Sequence, residues 1–73
     1  MPKLPQLSGK ELIKILISHR YREIRTKGSH VRLYPPTDES GLQKVTVPLH
    51  KSIKHGTLHA IMKDSGLTIE DLM

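Results

Sequence analysis

Apolar positions along the 73-residue chain change period twice. Leu12, Ile13, Leu16 and Ile17 recur at helical spacing behind Ser8-Gly9-Lys10-Glu11. A serine followed three places later by glutamate has the form of a capping box, so the pattern predicts a helix from about Gly9 to Ser18 or His19. Leu4 and Leu7, ahead of the cap, are placed to fold back on its first turn. From Tyr21 the helical period is lost. Tyr21–Thr26 and Ser29–Tyr34 are β-prone segments around Lys27-Gly28 and read as a hairpin. Pro35-Pro36 ends the second strand, because proline brings no N–H to a ladder. Thr37 to Gly41 reads as a polar turn, and Gln43 or Lys44 to Val47 as a third strand closed by Pro48. The last third is helical again. Gly56-Thr57 opens a segment with Leu58, Ile61 and Met62 on one side, with Thr57 as candidate cap and Gly66 at the expected left-handed stop. Thr68-Ile69-Glu70-Asp71 repeats the capping signal for a short terminal turn or helix.

Helix, three-stranded antiparallel meander, helix is the order of an α+β fold in two layers, with both helices on one face of the sheet. Double-stranded-RNA-binding domains share this arrangement, an analogy of fold that leaves function open. Residues 1–73 read as one domain, with no repeat or linker. The only aromatic residues are two tyrosines, so the core rests on Leu, Ile and Val. Such a core is thin for so short a chain, and contact with a partner would add to its stability.

Composition removes several functional classes. Without cysteine there is no disulfide framework and no Cys-ligated zinc site. No apolar run approaches the ~20 residues that span a bilayer, and Met1-Pro2-Lys3-Leu4-Pro5 lacks the apolar segment of a signal peptide. These features predict a soluble, cytoplasmic protein. The formal charge is +5, and it is concentrated. Arg20, Arg22, Arg25, Lys27, Arg32, Lys44, Lys51 and Lys54 outweigh Glu23, Asp38 and Glu39 in the middle segment, while the two flanks cancel each other. A concentrated basic segment suits a polyanion such as RNA. It equally suits a solvated surface or an acidic protein partner.

Candidate chemistry follows from strand alternation. Val31 and Leu33 share one face and form the natural core pair, so His30, Arg32 and Tyr34 point to the face that no helix covers. Metal-free RNA cleavage needs a base for the 2′-hydroxyl proton, an acid for the leaving 5′-oxygen, and positive charge at the phosphate. Histidine can perform either proton transfer near neutrality. Arg32, Lys27 and Lys44 are candidates for the electrostatic contribution, and Tyr34 for stacking on a base. Tyr21 is expected in the core. His50 is a candidate second proton carrier or phosphate contact, with orientation of the following loop the favoured role. His55 and His59 have a zinc-compatible spacing on a helix but no third ligand, so neither metal nor cofactor is expected. His19 suits the negative end of the first helix. Asp38 and Glu39 read as turn residues, not a catalytic carboxylate pair.

Four blocks in order, Leu7-Ser8-Gly9-Lys10-Glu11-Leu12, Lys27-Gly28-Ser29-His30-Val31, Val45-Thr46-Val47-Pro48-Leu49-His50 and Gly56-Thr57-Leu58, followed by Gly66, resemble the HicA (YcfA-like) toxin family over roughly Leu4 to Leu72. The resemblance implies a double-stranded-RNA-binding-like fold and a metal-independent mRNA interferase. It also implies a HicB-type antitoxin partner, with any DNA contact made only through the toxin–antitoxin complex. The family's catalytic histidine lies in a Gly-Ser-His motif and carries over to His30, with Gly28 and Ser29 as the turn that positions it. The RNA-contacting set is then expected to be Lys27, Gly28, Ser29, Arg32, Lys44 and His50. Two positions depart from the family pattern: Arg20-Tyr21 stands where Gly-Phe is common, and His59 where a basic residue often follows Gly-Thr-Leu. Two rival readings compete with the nuclease. One is a non-catalytic double-stranded-RNA-binding module, which would bind RNA without cutting it. The other is a protein-interaction subunit, which would ignore RNA even at low salt.

Overall fold

The computed structural model describes residues 4–36 and 41–73. The polar turn expected from Thr37 falls outside the described residues, except for Gly41. Among the described residues, no helix is long and apolar enough to cross a membrane.

The first helix, α1 (Gly9–Ser18), starts at the expected place. Ser8 Oγ accepts the Glu11 N–H at 3.1 Å and Glu11 Oε1 accepts the Ser8 N–H at 2.9 Å, closing the capping box. These backbone and hydroxyl donors hold the Glu11 carboxyl below its ordinary range. Leu12, Ile13 and Leu16 are buried, as is Gly9. Ile17, expected on the same face, is half exposed. It lies about a quarter turn off the line through Gly9, Leu12 and Leu16, at the helical advance of ~100° per residue, so the sheet does not reach it. Leu7 is buried and Leu4 packs against the core, as expected.

Three strands follow, β1 (Arg22–Lys27), β2 (His30–Tyr34) and β3 (Val45–Pro48), in the antiparallel order β1-β2-β3. Arg20 turns the chain from α1 into β1 with a left-handed backbone, φ 72°. Tyr21 precedes β1 and is buried, its hydroxyl donating to the Gln43 carbonyl at 2.7 Å. Burial pushes the Tyr21 phenol up from its ordinary pKa. Lys27 pairs with His30, so Gly28 and Ser29 alone make the hairpin loop. Gly28 has φ 60° while Ser29 does not enter positive φ. That is the pattern of a type II′ turn, with glycine at its first central position.

Pro48 belongs to β3 and is not merely its stop, because it sits opposite His30. The neighbouring pair is hydrogen-bonded, Leu49 N–H to Ser29 O at 2.6 Å. His30 and Pro48 therefore occupy a non-hydrogen-bonded site, where β3 needs no N–H toward β2. Val31, Leu33, Val45 and Val47 are all buried toward the helices.

The second helix, α2 (His55–Ser65), begins earlier than Gly56-Thr57 would suggest. Lys54 occupies the cap position without a side-chain hydrogen bond, and Thr57 lies inside the first turn. Leu58 and Ile61 are buried, Met62 is partly so, and Gly66 ends the helix at φ 72°. A 3-10 turn, Glu70–Leu72, closes the chain. Thr68 and Asp71 cap it reciprocally: Asp71 Oδ2 accepts the Thr68 N–H at 2.8 Å and Thr68 Oγ1 accepts the Asp71 N–H at 3.3 Å. The bond from the Thr68 backbone holds the Asp71 carboxyl low. His19, the C-cap of α1, lies 3.8 Å from Asp71 and links the turn to that helix.

The layers join at one tight point. Gly9 N–H donates to the His50 carbonyl at 2.9 Å, and Ile53 N–H to the Leu7 carbonyl at 2.8 Å. A Cβ at Gly9 would fall onto the Pro48 carbonyl oxygen and lie 3.0 Å from Leu49 Cα. Glycine is required there by backbone-to-backbone contact.

Three stability measurements by urea unfolding test these local arguments. Gly9→Ala is expected to destabilise by about 1–3 kcal/mol, since the obstruction is backbone and cannot rotate away. Arg20→Gly is expected to stabilise by about 1 kcal/mol through relief of the left-handed strain. At residue 28, L-alanine should cost about 1 kcal/mol, whereas D-alanine in a synthetic chain should not. Equal effects of the two enantiomers would contradict the turn assignment.

Candidate functional site

The sheet has a covered face and an open one, and strand register decides which side chains share the open face. Opposite residues in an antiparallel pair project to the same side. His30 is matched with Lys27 of β1 and Pro48 of β3. Arg32 is matched with Arg25 and Thr46. Tyr34 is matched with Arg22, and Lys44 continues β3 toward it, its Nζ lying 5.2 Å from the Tyr34 ring centroid. Three rows of side chains therefore cross the open face.

His30 is exposed, as are Lys27, Arg25, Arg32 and Thr46. These five line a shallow depression of about 350 Å³. His30 opens the central strand immediately after the two-residue turn and is held by a neighbour on each side. Its backbone position is thus fixed by the hairpin and by β3 together, while its ring faces solvent. The expected separation of His30 from the core pair Val31 and Leu33 is present.

Of the expected RNA-contacting residues, Lys27 and Arg32 join His30 in the depression. Gly28 and Ser29 form the turn beside it. Lys44 does not join them. It belongs to the row of Tyr34, two rows from His30, or about 14 Å at ~3.4 Å per strand residue. Its ammonium lies over one face of the Tyr34 ring. The His50 side chain is exposed, and its carbonyl fixes the start of α1. This contact is made by the backbone and reaches α1, so it does not bear on the side-chain role in the loop before α2 that the sequence favours.

Arg25 was missed as a site residue, although the signal was present. With Gly28-Ser29 as the whole loop, counting back along both strands sets Arg25 opposite Arg32. Arg22 could not be found in this way, because the register shifts between Glu23 and Arg25.

His55 and His59 are exposed and one turn apart on α2. Among the described residues, no group of three His, Cys, Asp or Glu side chains is placed to hold a metal ion. The open face thus brings together an imidazole, a group able to transfer protons, and exposed cations, groups able to meet an anion.

No curated protein and no solved structure matches this chain significantly. The family model described as HicA toxin of bacterial toxin-antitoxin matches residues 9–67, from the first residue of α1 to just beyond the Gly66 stop. The matched span includes the hairpin, the open-face cations and the Gly9 contact. The chain belongs to the HicA toxin family of bacterial toxin–antitoxin systems, a family that implies an antitoxin partner.

Proposed function

We propose that this toxin is an endoribonuclease that cleaves mRNA at the open face of its sheet, with His30 as the catalytic residue. The observation that carries the reading is the position of His30. It is exposed, anchored between two strands, and shares one depression with Lys27, Arg25 and Arg32. In the reaction the 2′-oxygen loses its proton and attacks the adjacent phosphorus. The bond from phosphorus to the 5′-oxygen then breaks, and that oxygen takes up a proton. The products are a 2′,3′-cyclic phosphate and a 5′-hydroxyl. His30 moves a proton in this sequence, and no metal is needed for that transfer. Negative charge grows on the phosphate oxygens as attack proceeds, and Lys27 and Arg32 stabilise it from fixed positions.

The antitoxin, of HicB type, is proposed to cover the same face. A protein that binds there neutralises the cations and blocks the approach of a ribose to His30. Inhibition then needs no change in the toxin's fold.

Inducible expression in bacteria, read as growth and message integrity, tests the proposal. Wild type should arrest growth and fragment mRNA, whereas His30→Ala at equal protein level should do neither. Purified wild type should cut RNA in the presence of a chelator and leave 2′,3′-cyclic ends. Loss of cleavage by at least 100-fold is expected for His30→Ala, the scale of a single acid–base residue. An equally toxic His30→Ala protein would overturn the assignment. Wild type that binds RNA and leaves it intact would favour a non-catalytic binding module.

A further inference from the structure

The register shift in β1 changes which charges face outward. Counting back from Lys27 with unbroken alternation would set Arg25 outward, Ile24 inward, Glu23 outward and Arg22 inward. The observed pairing is different: Arg25 is opposite Arg32, Glu23 opposite Leu33 and Arg22 opposite Tyr34. Ile24 is therefore an inserted residue, a β-bulge, and it is half exposed. Its insertion carries Glu23 to the helix side, where its carboxylate lies 3.5 Å from the Thr26 hydroxyl. Thr26 is itself opposite buried Val31. The same insertion brings Arg22 to the open face. Among the described residues of that face there is then no carboxylate.

Its cations recur in rows: Lys27 beside His30, Arg25 beside Arg32, and Arg22 with Lys44 about Tyr34. Successive rows are two strand residues apart, about 7 Å, which is the scale of one nucleotide step in an extended strand. The whole face is only as long as β2, about 17 Å for five residues. Shape recognition of duplex RNA requires contacts across about 16 base pairs, far more than this face offers.

We propose that the open face is a track for an extended single strand of RNA, holding three successive phosphates in these three rows. The bulge at Ile24 is the device that removes the carboxylate from the track. The inference deepens the ribonuclease reading and rests on it for one detail: the cut falls at the Lys27–His30 end, so the other two phosphates lie to one side of it.

The test measures binding of unstructured, labelled oligoribonucleotides of increasing length over a range of salt, in the His30→Ala protein so that the RNA survives. Affinity should rise up to about four nucleotides, which supply three phosphates, and then level off. Each phosphate contact on a single strand contributes about 0.7 to the slope of log affinity against log salt. Arg25→Ala and Arg22→Ala should each lower that slope by about this amount. Lys14→Ala removes an equal charge from the exposed side of α1 and should leave the slope unchanged. Unchanged slopes for Arg22→Ala and Arg25→Ala would overturn the track, as would an equal loss for Lys14→Ala. Tighter binding of a duplex of the same length would also overturn it. Length and slope data as expected, with RNA left intact by wild type, would retain the track and reject the nuclease.

Discussion

The architecture depends on the approach of the first residue of α1 to the end of β3. Gly9 donates its N–H to the His50 carbonyl and leaves no room for a side chain against the Pro48 carbonyl. Pro48 is in turn the cross-strand neighbour of His30. The helix layer is thereby tied to the strand position beside the candidate catalytic residue, through three backbone segments and without any long side chain. In a core that lacks Phe and Trp, backbone contact of this kind does work that aromatic packing does elsewhere. The capping box on Ser8 and Glu11 sets where α1 begins, and so sets which residue must be small.

The two sheet faces divide labour cleanly. Val31, Leu33, Val45 and Val47 meet the helices, while the opposite side carries the imidazole and the cations. The division is strict in β2 and β3, where every other residue is buried. It is looser in β1, which is exposed along its whole length. Freed from core packing, β1 can accept an inserted residue, and that freedom is used to sort acidic from basic side chains.

Much of this organisation was legible in the sequence because it is encoded locally. Ser8 and Glu11 announce the first helix, Gly66 its counterpart's end, and the alternation of Val31 and Leu33 places His30 outside. The exceptions have two causes: some depend on a neighbour distant in the chain, and others lack a local side-chain signal. Ile17 has helical spacing, yet the sheet does not extend over it. The start of α2 at His55 lacks a side-chain cap that could mark it. In β1 only Ile24 is apolar, so no burial pattern reports the bulge or the outward turn of Arg22. Lys44 is a candidate for the electrostatic contribution from its residue type, but only the cross-strand register reveals that it lies over Tyr34. Arg20 is intelligible only with coordinates: it bears a left-handed backbone at the position where family members commonly carry glycine.

Pro48 and the Ile24 bulge have a further consequence for where the sheet ends. A three-stranded sheet has two free margins, and each invites another copy to continue the ladder. On one margin proline supplies no donor and α1 crowds its carbonyl. On the other the inserted residue interrupts the ladder with charged neighbours on both sides. Such margins are poor templates for a second copy to extend the ladder, so the sheet stops at three strands on both sides.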